Sequence, residues 1–265
     1  MSIAGSDNSA GAGAQADLKT FSALGAYGVT AITCVVAEVP GKVSAVQAIE
    51  ARIVAEQIRL LFEAFPISAV KTGMLFSQEI IEATADALKS EIGNPKTEIP
   101  IVVDPVMVAT SGDPLLKPDA VALYRELLFP LARVITPNLD EVRTLLGHPV
   151  TSIDEMIAAG RELAERFQTA VLVKGGHLRG ADAIDLLFDA GEMHEFRAPF
   201  VPGVSTHGTG CTYAAAIAAG LGKGLPLPQA TARAKTFVTD AVRGFLRWEH
   251  NGHTTDALHH FTGPV

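Results

Sequence analysis

Residues 99–107 read IPIVVDPVM, an apolar run of strand length that ends in an aspartate and a proline. A continuous run of β-branched and aliphatic residues is typical of a strand that is buried on both faces of a parallel sheet. The same design, an apolar run that leads into a polar or glycine-rich turn, recurs at residues 134–138 (VITPN) and 171–177 (VLVKGGH). Helical patterns lie between these runs, and the alternation predicts an α/β fold with a mainly parallel sheet wrapped by helices.

The periodicity of the whole chain gives the order of the elements. Strands are predicted at residues 28–36, 67–74, 99–107, 132–136, 170–175, 184–189 and 193–198. Helices are predicted at residues 13–25, 50–64, 77–90, 118–128, 138–146, 152–167, 209–221 and 226–248. The turn at residues 189–191 (DAG) predicts an antiparallel edge, and Ser152 with Glu155 predicts a capping box. Because only a few residues precede Gly5, a first strand would be short or truncated.

Length and composition narrow the class of protein. A chain of 265 residues can bury a sufficient core as one α/β domain without a disulfide or structural metal. Cys34 and Cys211 lie far apart without CxxC spacing, so neither a disulfide framework nor a zinc site is predicted. The formal net charge of −8 argues against a nucleic-acid partner. No apolar run reaches the roughly 18 residues of a membrane span. Residues 1–7 do not resemble a signal peptide, so we expect a soluble cytoplasmic protein with no membrane partner.

The strongest chemical signal is residues 205–211 (STHGTGC), which precede an alanine-rich helix. Its glycines let successive backbone N–H groups point inward, and the helix start adds partial positive charge. We therefore predict an anion site for a transferring phosphoryl group, formed by Gly208, Thr209, Gly210 and Cys211. Taken alone, the segment could equally be a flexible turn ahead of a packed helix. The pKa of the Cys211 thiol is expected to be lowered there, so that the thiolate can take a proton from an attacking hydroxyl. An inert buried cysteine is the alternative.

Other predicted strand ends carry acidic and basic side chains. In open α/β sheets ligands bind at the carboxyl ends of the strands, so these turns are expected to meet at one crevice. Asp104 and Glu141 offer hard oxygen ligands for Mg²⁺. Lys174, which precedes two glycines, could neutralise the phosphates of a nucleotide. A turn-forming Asp-Pro pair and a solvated surface lysine are the alternatives for Asp104 and Lys174.

The two ends of the chain carry weaker signals. Residues 5–17 form a glycine-rich turn into a helix, without the Walker A lysine or the third glycine of a dinucleotide fingerprint. A dehydrogenase is therefore a weak alternative. Asp17 could contact ring nitrogens or an amine of a substrate, or be a solvated helix carboxylate. The histidines near the carboxyl end have no other ligand type at a metal-site spacing, and we interpret them as a polar tail: His250, His253, His259 and His260.

Taken in order, these motifs resemble those of the hydroxymethylpyrimidine and phosphomethylpyrimidine kinases of thiamine biosynthesis, within the ribokinase-like superfamily. The resemblance spans nearly the whole chain. It rests on residues 3–7 (IAGSD), 15–20 (QADLKT), 71–75 (KTGML), 104–108 (DPVMV), 111–113 (SGD), 136–138 (TPN), 173–177 (VKGGH) and 207–211 (HGTGC). Related sugar and pyridoxal kinases usually carry an aspartate where this chain has Cys211, which favours the pyrimidine branch.

The resemblance implies one three-layer α/β/α domain of ribokinase-like fold over residues 1–265, with a mainly parallel central sheet and an antiparallel edge. It implies ATP and Mg²⁺ as cofactors, a homodimer, and an enzyme that phosphorylates 4-amino-5-hydroxymethyl-2-methylpyrimidine and then its monophosphate. The substrate pocket of the family corresponds to Gly5, Asp17, Val36, Glu38, Met74 and Val106. The nucleotide and metal sites of the family correspond to Asp104, Asn138, Glu141, Lys174 and Thr209.

One position departs from the family pattern. The family commonly reads AQNT after the second strand, whereas residues 37–40 here read AEVP. Glu38 stands where the family's glutamine contacts the pyrimidine, so the identity of the ring stays open, although an amidine-like aminopyrimidine could pair with a carboxylate. Asn8 and Ala10, where the family often has proline and glycine, are expected to alter loop stiffness. A pyridoxal or pyridoxine kinase and a non-catalytic pyrimidine-binding sensor are the alternative functions.

Overall fold

A mixed sheet forms the centre of the computed structural model, which describes residues 1–93, 99–107, 118–176, 178, 182–205 and 207–261. Within that part of the chain its strands are β1 (Ser2–Asp7), β2 (Thr30–Val39), β3 (Lys42–Ala48), β4 (Val70–Thr72), β5 (Ile101–Val103), β6 (Val134–Ile135), β7 (Ala170–Lys174), β8 (Asp182–Asp189) and β9 (Glu192–Pro199). They lie in the order β3-β2-β1-β4-β5-β6-β7-β8-β9. Neighbouring strands are parallel along the series β2, β1, β4, β5, β6 and β7. The predicted mainly parallel sheet is confirmed, and both edges are antiparallel rather than one, because β3 pairs with β2 and the β8–β9 hairpin pairs with β7.

Helices cover both faces of the sheet, as the predicted three-layer fold requires. They are α1 (Gly13–Ala23), α2 (Ala51–Ala64), α3 (Gln78–Ile92), α4 (Pro118–Leu123), α5 (Leu139–Leu146), α6 (Ile153–Phe167), α7 (Thr209–Gly222) and α8 (Leu227–Arg243). Side chains of α1, α7 and α8 pack with Val102 of β5 in one core, whereas those of α2 to α6 pack with Val103 in the other. Both faces of β5 are therefore dry, which explains its continuous apolar run.

Three predicted boundaries are wrong for identifiable reasons. The first strand is not short, because β1 spans six residues and pairs with β2 and β4. Strand β3 was not predicted, because it is a largely exposed edge strand without an apolar run. The helix predicted at residues 226–248 ends at Arg243, and the chain then forms a separate hairpin of β10 (Leu246–His250) and β11 (His253–Ala257). All five side chains of β10 are exposed, so no buried face marked it as a strand.

The helix predicted at residues 118–128 changes type along its length. Helix α4 is followed by a π-helical turn at Tyr124–Leu128 and a 3₁₀ turn at Phe129–Leu131. At α6 the Ser152 hydroxyl accepts the Glu155 N–H at 3.2 Å, while the Glu155 carboxylate accepts the N–H of Thr151 at 2.7 Å. The helix start was therefore predicted correctly. Among the described residues, none of the helices combines the length and the apolar character needed to cross a bilayer.

Candidate active site

A cavity of about 530 Å³ opens at the carboxyl ends of the parallel strands. Of the residues predicted for the site, all except Asp17 line it: Gly5, Val36, Glu38, Met74, Asp104, Val106, Asn138, Glu141, Lys174, Gly208, Thr209, Gly210 and Cys211. The structure thus brings the turns of distant strands together at one edge of the sheet, where this topology places ligands. The motif residues Val108, 111–113, His177 and Thr206 lie outside the described part of the chain.

A carboxylate and a lysine meet at one end of the cavity. Asp104 follows β5 and Lys174 ends β7, and the Lys174 Nζ donates to Asp104 Oδ1 at 2.8 Å. Thr136, after β6, donates its hydroxyl to the same oxygen at 2.9 Å. Burial alone would raise the pKa of Asp104, but the positive charges of Lys174 and Lys71 together hold it below the ordinary value. An ionised carboxylate and an ammonium group are therefore fixed side by side.

Glu141 lies in the first turn of α5, where it forms a capping box with Asn138. Its Oε2 accepts the Asn138 N–H at 2.8 Å, and the Asn138 Oδ1 accepts the Glu141 N–H at 2.9 Å. Burial and the nearby charge of Asp104 raise the pKa of Glu141 to about 8, although Lys174 opposes the shift. A cation at this position would favour the ionised form and displace the proton.

The start of α7 reaches the Asp104–Lys174 pair through two glycines. Gly208 has a φ of +82°, and a Cβ placed on it would lie 1.8 Å from the Gly11 carbonyl oxygen. A Cβ on Gly210 would lie 3.2 Å from the Lys174 Nζ and 3.7 Å from Asp104 Oδ2. Both glycines therefore let the backbone approach its neighbours closely. At Gly210 no Cβ separates the helix start from Lys174 and Asp104.

The expected low pKa of Cys211 is wrong in this conformation. Burial raises the pKa of its thiol to about 11, and the negative charges of Asp17 and Asp104 add to this effect. The positive charge of Lys71 and a hydrogen bond with the Gly13 backbone act in the opposite direction but are smaller. Desolvation is thus the largest effect on this group, and the thiol is protonated at neutral pH.

Asp17 does not reach the cavity, which contradicts the expected contact with a substrate. Its side chain is fully buried, and both of its oxygens accept the Lys71 Nζ, at 2.9 and 2.8 Å. The Ser2 hydroxyl also donates to Asp17. Asp17 raises the pKa of Lys71 above its ordinary value against the effect of burial. The signal for this pair was a lysine inside the strand predicted at residues 67–74, because a buried ammonium requires a carboxylate partner.

The other end of the cavity is more apolar. Val36 is buried there, and the Gly5 N–H donates to the Met74 carbonyl at 3.1 Å. A Cβ on Gly5 would lie 2.7 Å from the Cys34 Sγ, so a larger residue there would force the Cys34 side chain to move. Glu38 adds a carboxylate, and its pKa is raised by burial and by the charge of Asp7. A flat ring with one polar edge suits these surroundings.

Two residues of the cavity wall were present in the quoted motifs but were not assigned a role. The His207 Nε2 lies 3.0 Å from Asp7 Oδ2, and this hydrogen bond raises the pKa of His207. Asp7 also accepts the N–H groups of Ser9 at 2.7 Å and Ala12 at 2.8 Å. The pair joins the glycine-rich turn after β1 to the turn before α7. Their separation of 200 residues explains why no sequence pattern indicated it.

Asp104 and Glu141 are two of the carboxylates that line the cavity, and both could hold Mg²⁺. The described residues contain no group of three or more histidine, cysteine, aspartate or glutamate side chains arranged around a metal position. Mg²⁺ needs only one or two carboxylates because waters and phosphates complete its shell, so the donor set fits. Of the terminal histidines, His260 is buried against Thr212 at 3.0 Å and does not belong to a solvated tail.

Comparison with known proteins agrees with this geometry. Residues 7–256 match the family described as phosphomethylpyrimidine kinase. The chain is 47% identical over 262 residues to the hydroxymethylpyrimidine/phosphomethylpyrimidine kinase of Rhizobium meliloti, covering 98% of this chain and 96% of the relative. The Escherichia coli protein of the same name is 43% identical over 263 residues, with the same coverage of 98% and 96%.

Solved kinase structures are similar to this chain over most of its length. The ADP complex of Bacillus subtilis pyridoxal kinase superposes with a TM-score of 0.87 at 35% identity, covering 98% of this chain and 96% of that one. The phosphomethylpyrimidine kinase from Clostridium difficile has a TM-score of 0.79 at 40% identity, covering 91% and 97%. The resemblance stated from the motifs is confirmed, and this chain belongs to the phosphomethylpyrimidine kinase family.

Proposed function

We propose that this protein transfers the γ-phosphoryl group of ATP to the hydroxymethyl group of 4-amino-5-hydroxymethyl-2-methylpyrimidine, and then to the monophosphate, in thiamine biosynthesis. The observation that carries the proposal is the shared cavity, in which Asp104, Lys174 and the start of α7 lie at one end and the apolar wall around Val36 and Met74 at the other. The names of the Rhizobium meliloti and Escherichia coli relatives support it.

The charged end is suited to the phosphates of ATP. Lys174 can neutralise them, and the backbone N–H groups of residues 208–211 at the start of α7 can donate to a transferring phosphoryl group. Asn138 and Thr209 also line this end. Asp104 and Glu141 are the residues that would hold Mg²⁺, and the ion would supply positive charge beside the phosphates. A Staphylococcus aureus pyridoxal kinase solved with the ATP analogue AMP-PCP has a TM-score of 0.86 to this chain, which supports the use of ATP.

Cys211 is the proposed base. The oxygen of the hydroxymethyl group attacks the γ-phosphorus, its O–H bond breaks, and the proton passes to the Cys211 sulfur while ADP leaves. The reaction requires the thiolate, and the raised pKa means that only a small fraction of Cys211 is ionised at neutral pH. Lys71 favours that fraction, since its positive charge lowers the pKa of the thiol. Phosphoryl transfer would then depend mainly on positioning and charge stabilisation.

A pyridoxal or pyridoxine kinase is the second candidate. The likeness to Staphylococcus aureus pyridoxal kinase in complex with AMP-PCP and pyridoxal, with a TM-score of 0.84 at 32% identity, favours it. Glu38 also favours it, because the residue departs from the family's glutamine at the ring-binding position. Cys211 favours the pyrimidine, as the related pyridoxal kinases usually carry aspartate there.

An assay of ADP formation with ATP, Mg²⁺ and a panel of vitamin alcohols tests the proposal. We expect turnover on the pyrimidine alcohol and its monophosphate to exceed turnover on pyridoxal and pyridoxine. Preference for pyridoxal would identify the second candidate, and ligand binding without ADP would indicate a sensor. The homodimer implied by the resemblance stays a prediction, as does the cytoplasmic location expected from the sequence of residues 1–7. Light scattering of the purified protein tests the dimer.

A further inference from the structure

The turn before α7 is attached to the carboxyl-terminal part of the chain, residues 246–260, which we term the terminal segment. Arg247 donates to the Gly203 carbonyl at 2.8 Å, and Asp256 accepts the N–H of Ser205 at 3.1 Å. Arg247 and Asp256 also form two hydrogen bonds with each other, at 2.7 and 2.8 Å. The terminal segment thus holds the backbone that leads into the start of α7.

A second attachment lies beside Cys211. The His260 Nε2 lies 3.0 Å from the hydroxyl oxygen of Thr212, and both side chains are buried. Burial and the positive charge of Lys19 lower the pKa of His260 to about 4, so its ring is neutral at physiological pH. The ring also forms a hydrogen bond with the backbone of Leu258. A neutral ring has one N–H, which donates to that carbonyl, so Nε2 accepts the Thr212 hydroxyl.

This bond differs from the one that most other helical threonines form in the described part of the chain. A threonine in a helix commonly donates its hydroxyl to the carbonyl four residues earlier. Among the described residues five threonines do so, at distances of 2.7 to 3.2 Å: Thr20, Thr144, Thr231, Thr236 and Thr239. The corresponding carbonyl for Thr212 is that of Gly208, which accepts the Thr212 N–H at 2.9 Å. His260 therefore draws the hydroxyl away from the first turn of α7.

We propose that His260 is a positioning residue for phosphoryl transfer, because its bond to Thr212 fixes the first turn of α7 and the direction of the Cys211 thiol. The inference rests on the proposed function, since it concerns the same reacting centre. The terminal segment would then serve catalysis as well as folding. A displacement of about 1 Å at a reacting centre can reduce the rate up to about a hundredfold, so even a small relaxation of this turn is measurable.

The test uses matched variants of the full chain. Thr212→Val removes the hydroxyl at nearly constant volume, and Thr212→Ser keeps it. His260→Leu removes the acceptor, and His260→Gln offers an amide oxygen in its place. His259→Gln is the control, because His259 is the adjacent histidine and its ring contacts Phe261. For each variant kcat, KM for ATP and the midpoint of thermal unfolding are measured, with hydrogen exchange of residues 207–213.

We expect Thr212→Val and His260→Leu each to lower kcat about tenfold, with KM for ATP changed less than about twofold. The double variant should be no slower than either single variant, because both changes break the same bond. Thr212→Ser, His260→Gln and His259→Gln should retain kcat within about threefold of the unmodified protein. Exchange at residues 207–213 should accelerate in Thr212→Val and His260→Leu only.

Two results would overturn the proposal. One is a folded Thr212→Val variant with unchanged kcat and unchanged exchange, and the other is a double variant whose loss is the product of the single losses. If His260→Leu fails to fold, the comparison of Thr212→Val with Thr212→Ser still shows whether the bond between His260 and Thr212 affects kcat. An unmodified protein that forms no ADP with any alcohol would refute the proposed function, and the exchange measurement would then decide the role of His260.

Discussion

Replacing Gly208 by alanine tests the geometry at the start of α7. Two effects act at this residue. Its φ of +82° is unfavourable for alanine, and the new Cβ would lie 1.8 Å from the Gly11 carbonyl oxygen and 3.2 Å from the Ala12 Cα. A residue held in such a conformation costs roughly 1–3 kcal/mol. The overlap cannot be relieved by a side-chain rotation, because both neighbours are backbone atoms. The turn before α7 must therefore move by about 1 Å or more.

A displacement of that size at a reacting centre corresponds to a rate loss of about a hundredfold. We therefore expect Gly208→Ala to lower kcat about a hundredfold and the free energy of unfolding by roughly 1–3 kcal/mol. The assay measures ADP formation at saturating ATP and alcohol, and urea unfolding measures stability.

Gly191→Ala is the matched control. Gly191 has a φ of +84° and no atom within 4 Å of the added Cβ, and it lies in the turn between β8 and β9. It should lose stability through the same backbone strain while kcat stays unchanged. A folded Gly208→Ala variant that is as active as the unmodified protein would show that the close approach at Gly208 is not needed for activity. An activity loss in Gly191→Ala as large as that in Gly208→Ala would show that backbone strain alone lowers the activity.

Further variants test Cys211, the buried Lys71–Asp17 pair and Glu38. Because burial raises the pKa of Cys211 to about 11, kcat/KM should increase by up to about tenfold per pH unit between pH 7 and 9. Cys211→Ala should have low activity without this pH dependence, and an equal pH dependence in the variant would exclude the thiolate as the base. Lys71→Met leaves the buried Asp17 without its partner and should lower the free energy of unfolding in urea by about 3–5 kcal/mol. Combining Lys71→Met with Asp17→Asn should restore part of that free energy, and an unchanged stability of the single variant would contradict the buried pair. Glu38→Gln should raise turnover of the pyrimidine alcohol relative to pyridoxal, and an unchanged ratio would remove Glu38 from ring recognition.

Much of the fold was predictable because both faces of the central strands are buried. A strand such as β5 must be apolar at every position, and its polar end then marks the edge of the sheet where ligands bind. That is why Asp104, Lys174 and the glycines of α7 could be placed at one cavity without a structure. The exposed strands β3 and β10 carry no such constraint, and their sequences do not separate them from a loop or a helix.

The errors at the site have a shared cause, which is burial by parts of the chain that are distant in sequence. A sequence shows that Cys211 follows two glycines at a helix start, but not that the surrounding protein buries the thiol and raises its pKa. Likewise Asp17 was interpreted as a substrate ligand, because the buried Lys71 that pairs with it is 54 residues away in the chain. Pairs of this kind, including Asp7 with His207, depend on tertiary contacts that no local pattern encodes.

In the proposed reaction the N–H groups at the start of α7 hold the transferring phosphoryl group. A crystal structure with Mg²⁺, ADP, aluminium fluoride and the pyrimidine alcohol would show whether they do, because aluminium fluoride imitates a phosphoryl group in transfer. We predict that its fluorine atoms lie within hydrogen-bond distance of the backbone N–H groups of residues 208–211, with the alcohol oxygen on the opposite side from ADP. Aluminium fluoride bound away from these N–H groups, in a complex that contains both ADP and the alcohol, would exclude this role for the start of α7.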